Sequence, residues 1–479
     1  MRYDGLSGLI TDFYELTMVQ GYFLRDMNRP AVFDMFFRSQ PFNGGYSIFC
    51  GLDPLLEALE GLRFSDDDIA YLASLGVFKK DFLDFLEEFR FTGDIYALEE
   101  GTAVFPNEPL IRAHGTMIEV QLIESLVLNI INFHTLIATK AARVFDASGG
   151  GKILEFGLRR SQGLDGAFSA ARASYVGGAV ATSDTWAAKE LGIPAKGTMA
   201  HSWVMAFDSE ADSFRAFAEI YPENAILLID TYDTLGSGIE NAVLVGKEQK
   251  RKGHTIGVRL DSGDLDYLSR EVRKRLDEAG LEDAKITASN ELNEEIVHQL
   301  VTSGAPIDAW GVGTHLVTGS KDAALNGVYK LAAKTPEGKA ELEPVIKLSN
   351  NPEKTTNPGV KKIYRFFDSD GSPMADLLCF DHEFSQGIEA PVKLSHPSSE
   401  MGDFTLSDFG RVEELLRPRM KSGRRIETPE SLDDKRNRTV ENLKNLNRSY
   451  KRLINPHVYT VSLSEELKRV KKELTGRLG

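Results

Sequence analysis

The sequence predicts an α/β chain in which a parallel sheet or barrel of strand–helix units follows a separate α+β region. From about residue 150, short apolar runs typical of strands alternate with helical stretches for nearly 200 residues, which indicates parallel βα units. The first 115 residues lack that rhythm, and it stops again near residue 350. At 479 residues the chain is long enough for two or more domains.

The N-terminal region begins with a helical pattern over residues 11–22, which starts at a Thr-Asp cap and has an apolar side. Tyr14 lies next to that side, and both packing at an interface and stacking against a flat ligand suit it. A strand is predicted over 31–38, and a long helix over 118–144 ends with basic residues that suit the helix dipole. We divide the chain into an N-terminal α+β domain, a sheet or barrel domain and a C-terminal segment, with bounds 1–117, 118–349 and 350–479.

The strand–helix region contains six predicted strands and a further one near its end. Each is a short apolar run rich in β-branched or small residues and bounded by turn-forming residues. They span 152–156, 195–199, 225–230, 256–260, 285–289 and 309–312, with the last at 344–348.

Polar and cationic residues follow the C-terminal ends of these predicted strands. In a βα barrel the loops at those ends assemble the active site, because the strands converge there and helix N-termini point into the same space. One shared pocket is the simplest interpretation. The residues are Arg159, Arg160, Thr198, His201, Asp230, Arg259, Asp261, Ser289, Gly313 and Thr314.

Arginines and carboxylates in this set suit an anionic, sugar-bearing ligand. Arg159 and Arg160 offer planar bidentate donors that match phosphate or carboxylate. Arg259, Asp261 and Asp264 place a cation and two carboxylates around a glycine, which suits sugar hydroxyls or a hydrated Mg²⁺. The same Asp-Ser-Gly-Asp segment is also a common turn.

Two further segments add a hydroxyl and a titratable group. Gly313 and Thr314 supply flexible backbone and a hydroxyl before a short helix, which suits a terminal phosphate. His201 lies between hydroxyl residues, and imidazole ordinarily titrates near neutral pH, although a histidine in such a segment alone is more often a hydrogen-bonded structural residue. Together the segments predict a pocket for a phosphorylated sugar.

Composition excludes several classes of function. A formal net charge of −15 argues against non-specific nucleic-acid binding, although residues 411–479 hold 18 basic and 10 acidic residues. The two cysteines, Cys50 and Cys379, lie in apolar runs and fit buried, reduced thiols. No apolar segment is long enough to span a membrane and no signal core is present, so we expect a cytoplasmic protein without membrane partners. No Walker motif, strand-linked GxGxxG or metal-spaced Cys/His cluster occurs.

These segments, in this order, resemble the nicotinate phosphoribosyltransferases, enzymes of NAD salvage. The resemblance implies a type II phosphoribosyltransferase architecture, with an incomplete α/β barrel plus an α+β sandwich domain made from the N-terminal segment and part of the C-terminal one. It also implies a homodimer whose active sites lie at the subunit interface. The segments that carry it are 11–22, 36–52, 155–163, 197–202, 230–232, 257–265, 289–290, 311–318 and 327–331.

The reaction implied by the resemblance joins nicotinate to phosphoribosyl pyrophosphate (PRPP), giving nicotinate mononucleotide and pyrophosphate, with ligase-type coupling to ATP hydrolysis through a phosphohistidine. By the motif match, His201 is the residue phosphorylated by ATP. Tyr14, Thr198 and Arg259 match positions that bind nicotinate, and Thr314 matches one that binds the sugar phosphate. Mg²⁺ is expected, with its ligands left open. Strand-end position adds Arg159, Arg160, Asp261 and Gly313 as substrate-binding candidates.

Four alternatives are weighed against this interpretation. A nicotinamide phosphoribosyltransferase shares the barrel and the reaction but takes a neutral amide, and quinolinate enzymes are much shorter. A sugar-phosphate lyase or isomerase on a complete barrel would need a poised base, for which Glu155 and Glu291 are the available strand-end residues. A phosphohistidine carrier or ligand sensor would not turn over PRPP.

Overall fold

The computed structural model describes residues 6–349, 354–395 and 402–478. Its contacts divide the chain into two compact units. The continuous unit runs from Ile137 to Ala323, and the discontinuous unit combines the residues up to Leu136 with those from Ala324 onward. The sequence places domain boundaries at residues 117 and 349, whereas the first division by contacts falls inside a long helix.

The N-terminal part of the discontinuous unit mixes helices with short strands. The predicted helix over 118–144 is two helices that meet at Ile123, which caps the first of them. The helices are α1 Phe13–Leu24, α2 Leu52–Gly61, α3 Asp66–Ser74, α4 Lys80–Glu87, α5 Met117–Leu122 and α6 Glu124–Ala147, whose end belongs to the continuous unit. The strands are β1 Pro30–Phe37, β2 Ser47–Ile48, β3 Asp94–Ala97, β4 Ala103–Val104 and β5 Ile111–Thr116.

The continuous unit is a curled, open parallel sheet with helices between its strands, so the predicted incomplete barrel is confirmed. The sheet order is β7-β6-β11-β10-β9-β8, and every neighbouring pair is parallel. Its strands are β6 Lys152–Glu155, β7 Ala181–Thr182, β8 Ala225–Leu228, β9 Ile256–Leu260, β10 Lys285–Ser289 and β11 Ala309–Val312. Its helices are α7 Gly163–Val176, α8 Thr185–Leu191, α9 His201–Met205, α10 Glu210–Ile220, α11 Ile239–Arg251, α12 Leu265–Glu278, α13 Glu294–Ser303 and α14 Thr314–Val317.

One predicted strand of this sheet is wrong. Residues 195–199 form no strand, and the edge strand is the two-residue β7, which the sequence did not predict because its surroundings are glycine- and alanine-rich rather than strongly apolar. Thr182 of β7 donates its N–H to the carbonyl of Pro194 and accepts from the N–H of Lys196. Only Ala195 therefore pairs with the edge, and the chain then leaves the sheet as a loop.

The C-terminal part returns to the discontinuous unit and completes its antiparallel sheet. That sheet has the order β13-β12-β1-β5-β3-β19-β20, so three N-terminal strands form its centre and C-terminal strands flank them on both sides, as the sandwich domain requires. The predicted strand at 344–348 is wrong, because only β13 forms there and pairs with β12. The elements are β12 Gly327–Lys334, β13 Glu343–Pro344, β14 Lys361–Phe367, β15 Pro373–Phe380, β16 Val392–Ser395, β17 Asp403–Leu406, β18 Arg411–Glu414, β19 Arg417–Lys421, β20 Arg424–Arg425, α15 Leu432–Asn445, α16 Arg448–Lys451, β21 Val461–Leu463 and α17 Glu465–Leu478.

The discontinuous unit is held by one large apolar core, to which β1, α2, α4, β5 and α6 all contribute fully buried side chains. Cys50 and Cys379 are buried thiols that form no disulfide with each other, as the sequence predicts. Among the described residues, no helix has both the length and the apolar character needed to cross a membrane.

A buried carboxyl group ties α1 to α6 in this unit. Glu15 is fully buried, and its oxygens accept hydrogen bonds from the hydroxyls of Thr11 at 2.7 Å and Ser125 at 2.9 Å. Burial is the main cause that raises the pKa of Glu15 to about 7, and the nearby carboxylates of Glu124 and Asp12 add to the rise. Ionised Glu15 is therefore less compatible with the fold than the neutral acid.

We expect the stability of Glu15→Gln to fall less than that of the wild type as the pH rises. An acid whose pKa rises from 4.5 to about 7 on folding stabilises the folded state fully below pH 4.5. That contribution, of about 3 kcal/mol, is lost as the pH rises through 7. Thermal unfolding at pH 5 and pH 8 should show a smaller fall in melting temperature for Glu15→Gln than for the wild type. The exposed control Glu88→Gln should keep the wild-type fall, and equal falls in all three proteins would contradict the prediction.

Candidate active site

The C-terminal ends of β6, β9, β10 and β11 surround a pocket of about 150 Å³ in the continuous unit. Seven of the strand-end residues that the sequence predicts line it: three arginines, an aspartate, a serine, a glycine and a threonine. The lining residues are Phe156, Arg159, Arg160, Arg259, Asp261, Ser289, Asn290, Glu291, Gly311, Gly313 and Thr314. This edge of the sheet is where a parallel sheet is expected to house its ligand.

Arg259 is held at the end of β9 by contacts on three sides. Its Nε donates to the Ser289 hydroxyl at 2.8 Å, and its Nη2 donates to Asp261 Oδ1 at 2.9 Å. Its Nη1 donates to the Thr198 hydroxyl at 3.0 Å and to the carbonyl of Met199 at 3.4 Å. Since a guanidinium has five N–H donors, one donor on Nη2 has no acceptor among the described residues. That donor, beside the Thr198 hydroxyl, suits a carboxylate or phosphate oxygen.

A second chain of contacts links His201 to the same network. His201 begins α9, its Nδ1 lies 3.1 Å from the Thr231 hydroxyl, and its Nε2 lies 3.7 Å from Asp261 Oδ2. Asp230 Oδ2 accepts from the Asp261 N–H at 3.0 Å and from the Ser262 hydroxyl at 2.5 Å. The structure therefore brings the two carboxylates, the imidazole and the arginine together from three segments: the start of α9, the loop after β8 and the end of β9.

Phe156 provides an apolar surface in this polar pocket. Its ring packs against Gly311, where an added Cβ would lie 2.7 Å from the ring. The Arg259 guanidinium carbon lies 5.7 Å from the ring centroid of Phe156, within the range of a cation–π contact. Gly313 approaches the Phe156 carbonyl, which an added Cβ would meet at 3.0 Å. A flat aromatic ligand could therefore stack here beside a cation.

Arg159 and Arg160 are exposed on a short turn after β6. Neither makes an ion pair or hydrogen bond with any other side chain that the structure describes, unlike Arg259. The turn is supported from below by Glu155, whose carboxylate accepts from the Gly157 N–H and the Thr182 hydroxyl. Burial raises the pKa of Glu155. With both oxygens engaged and only 2% of its surface exposed, Glu155 does not serve as a base toward a ligand in the pocket.

Glu291 at the rim of the pocket is bound by a histidine from the next loop. His315 Nε2 lies 3.1 Å from Glu291 Oε2, and His315 Nδ1 lies 2.9 Å from the Ser320 hydroxyl. The backbone of Asn290, Glu291 and Ser320 has positive φ values of 83°, 44° and 54°. Residues other than glycine rarely adopt the left-handed backbone region, so each of the two loops contains a strained conformation.

Tyr14 lies in the discontinuous unit, on the first turn of α1, with 48% of its surface exposed. Partial burial raises the pKa of Tyr14 to about 12, and the carboxylates of Glu124, Glu15 and Asp12 add to the rise. Its hydroxyl is therefore protonated at neutral pH.

The candidate residues of the continuous unit thus converge, with Thr198 and His201 joined to the pocket through Arg259 and Asp261. The sequence places Phe156, Thr231 and His315 at strand ends but assigns them no role. The sequence contains a signal for each of them, which is its position at a strand end, where ligands bind. These residues are an aromatic ring next to Gly157, a hydroxyl after Asp230 and an imidazole after Thr314. No group of three or more His, Cys, Asp or Glu side chains arranged to hold a metal occurs within 6–349, 354–395 and 402–478.

Comparison with known proteins gives one consistent result along the chain. A family model described as the nicotinate phosphoribosyltransferase (NAPRTase) family matches residues 151–385. Models of the N-terminal and C-terminal domains of nicotinate phosphoribosyltransferase match residues 9–132 and 360–471. The three matches together include both compact units.

Curated relatives match over nearly their whole lengths. Nicotinate phosphoribosyltransferase of Bacillus subtilis is 40% identical over 468 residues, which cover 97% of this chain and 94% of that protein. Nicotinate phosphoribosyltransferase of Mus musculus is 32% identical over 528 residues, which cover 98% and 97%. The crystal structure of human nicotinic acid phosphoribosyltransferase matches with a TM-score of 0.83 at 30% identity, covering 97% of this chain and 99% of that one. The chain therefore belongs to the nicotinate phosphoribosyltransferase family.

Proposed function

We propose that the protein transfers the phosphoribosyl group of PRPP to nicotinate, forming nicotinate mononucleotide and pyrophosphate in the salvage of NAD precursors. The observation that carries this proposal is the distribution of cations in one pocket. Arg259 is fixed beside Thr198 and has one donor available, whereas Arg159 and Arg160 have no partner among the described residues. A fixed guanidinium suits a small planar carboxylate, and the unpaired ones suit a polyphosphate.

The chemistry follows from where charge develops during the transfer. The pyridine nitrogen of nicotinate attacks C1 of the ribose, the bond from C1 to the pyrophosphate oxygen breaks, and its electron pair leaves with pyrophosphate. Arg159 and Arg160 stabilise the negative charge that grows on the leaving group. Arg259 and Thr198 hold the nicotinate carboxylate, and the ring of Phe156 supports the pyridine. No side chain needs to attack the sugar.

ATP coupling is assigned to His201. One imidazole nitrogen attacks the γ-phosphorus of ATP, the bond to the β,γ-bridging oxygen breaks, and ADP leaves with the electron pair. Water later hydrolyses the phosphohistidine to release phosphate. Contacts of both ring nitrogens, with Thr231 and Asp261, support this role because they fix the orientation of the ring. A phosphate here would add about two negative charges near Arg259 and reorganise the loops around the pocket.

Mg²⁺ fits the carboxylates of this site. Asp230 Oδ1 is buried without a hydrogen-bond partner in the part of the chain that the structure describes, and Asp261 Oδ2 contacts only His201 there. Mg²⁺ is commonly held by one or two carboxylates together with substrate phosphates, so Asp230 and Asp261 would hold it. When bound, the ion neutralises charge on the pyrophosphate group.

The exposed Tyr14 supports a further part of the proposal. In a homodimer with the active site at the subunit interface, the hydroxyl of Tyr14 from one copy contacts nicotinate in the pocket of the other. A cytoplasmic location agrees with the two buried thiols, which form no disulfide with each other. Light scattering of the purified protein measures its molar mass, and a monomer at all concentrations would contradict an active site shared between two copies.

The decisive test is pyrophosphate release from PRPP by the purified protein. It is run with nicotinate or nicotinamide as acceptor, and with and without ATP. We expect nicotinate-dependent release that ATP stimulates, because Arg259 favours a carboxylate over a neutral amide. Release only with nicotinamide would reverse the substrate assignment, and release with neither acceptor would overturn the proposed function.

A further inference from the structure

The pocket contains opposite charges that do not pair with each other. Arg159 and Arg160 line it without a partner among the described residues, and Glu291 lines the same pocket with 64% of its side chain exposed. An exposed carboxylate that lines the same pocket as two unpaired guanidiniums can form a bidentate ion pair with one of them. Here the Glu291 carboxylate is instead held at 3.1 Å by His315 Nε2.

His315 is well placed to restrain that carboxylate. Its other nitrogen, Nδ1, contacts the Ser320 hydroxyl at 2.9 Å, so the ring is fixed at both ends. The ring follows Thr314 at the start of α14, and Glu291 lies on the loop between β10 and α13. The contact therefore joins two of the loops that form the pocket.

The backbone of the two loops that His315 joins is strained, so neighbouring contacts must hold it in place. Asn290 and Glu291 are consecutive residues with positive φ, and Ser320 also has positive φ. Strained conformations of this kind persist only where neighbouring contacts over-determine them, and they concentrate at ligand clamps and active sites. The histidine contacts Glu291 and Ser320 directly, so it fastens strained residues in both loops.

We propose that His315 is a positioning residue that keeps the Glu291 carboxylate away from Arg159 and Arg160, so that both arginines are available to the diphosphate group of the substrate. This inference rests on the proposed function for the identity of the substrate. Without His315, Glu291 would compete with the substrate for the arginines. The carboxylate would then act as an internal competitor for the anion site.

A double-mutant comparison tests the proposal, using His315→Ala, Glu291→Gln and the combined variant. The probes are the KM for PRPP and, independently of turnover, the Kd for inorganic pyrophosphate measured by calorimetry at low ionic strength. We expect His315→Ala to raise both constants about fivefold, the upper range for an exposed ion pair. The combined variant should return to within about twofold of the wild type, because the competing charge has been removed.

The opposite result is equally clear. If the combined variant binds pyrophosphate as weakly as His315→Ala, then His315 contacts the anion itself, and the proposal is overturned. It is also overturned if His315→Ala leaves both constants unchanged. If His315→Ala fails to fold, Glu291→Gln tests the proposal alone. Pyrophosphate should bind to Glu291→Gln at least as tightly as to the wild type, and weaker binding would overturn the proposal.

A matched control is available in the same unit. His254 Nδ1 contacts Glu223 Oε1 at 3.0 Å, next to the N-terminal ends of β8 and β9 rather than in the pocket. His254→Ala should change neither constant. If the wild-type protein releases no pyrophosphate from PRPP, the proposed function fails, while the pyrophosphate-binding measurements still decide the role of His315.

Discussion

Arg259→Lys is expected to lower kcat/KM for nicotinate about a hundredfold, roughly 2.7 kcal/mol of lost stabilisation. A lysine ammonium has three donors on one atom and cannot contact Ser289, Thr198 and Asp261 from three sides as the guanidinium does. It would leave at least one of those partners without its hydrogen bond. The nicotinate carboxylate would also lose the planar donor that orients the pyridine nitrogen toward the sugar.

Initial rates with varied nicotinate at saturating PRPP measure this effect. The loss should appear mainly with nicotinate, because Arg159 and Arg160 remain to bind the pyrophosphate side. Arg270→Lys is the matched control, since Arg270 pairs with Asp266 on the outer surface of α12. A loss smaller than about threefold in Arg259→Lys would contradict the assignment of Arg259 to the carboxylate.

His201→Ala is expected to abolish the stimulation of turnover by ATP and to leave a slower, ATP-independent reaction. The variant removes the only nitrogen nucleophile proposed to accept the γ-phosphate, while Arg259 and Asp261 keep their direct contact at 2.9 Å. The ATP-stimulated rate should fall about a hundredfold, the lower end of the contribution that one catalytic side chain typically makes.

Incorporation of an acid-labile phosphate from γ-labelled ATP provides the second readout for this variant. The wild type should become labelled at one site per chain, and His201→Ala should not. His298→Ala, which alters an exposed histidine on α13, should label as the wild type does. Normal labelling of His201→Ala would place the phosphate elsewhere and refute this part of the mechanism.

The sequence predicts the parallel sheet well because each central strand is a compact apolar run with a sharp boundary. The predicted ranges for β9, β10 and β11 agree with the structure residue for residue. The edge of the sheet is different, since β7 is only two residues long and on its outer side it bonds to a loop rather than to another strand. Such an edge has little apolar surface of its own, so periodicity does not identify it.

In the site, too, the sequence predicts where residues lie better than which residues they contact. Strand-end position was sufficient to predict that Arg159, Arg259 and Thr314 share one pocket. It did not predict that Ser289 bridges Arg259 and Asp261, or that His315 contacts Glu291. These contacts depend on side-chain direction and on strained loop backbones, neither of which leaves a periodic pattern in the sequence.

The strand order of the antiparallel sheet in the discontinuous unit has a consequence for folding during synthesis on the ribosome. Strand β1 pairs with β12, and β3 pairs with β19, so both outer partners of the β1-β5-β3 group are synthesised late. At roughly 5 to 20 residues per second, about 15 to 60 s separate the emergence of β1 from that of β12. During that interval both outer edges of the nascent β1-β5-β3 group lack their native partners, and the β3 edge stays unpaired until β19 is made. Protection of these edges by chaperones or by slow collapse is therefore important until residue 421, the end of β19, has been made.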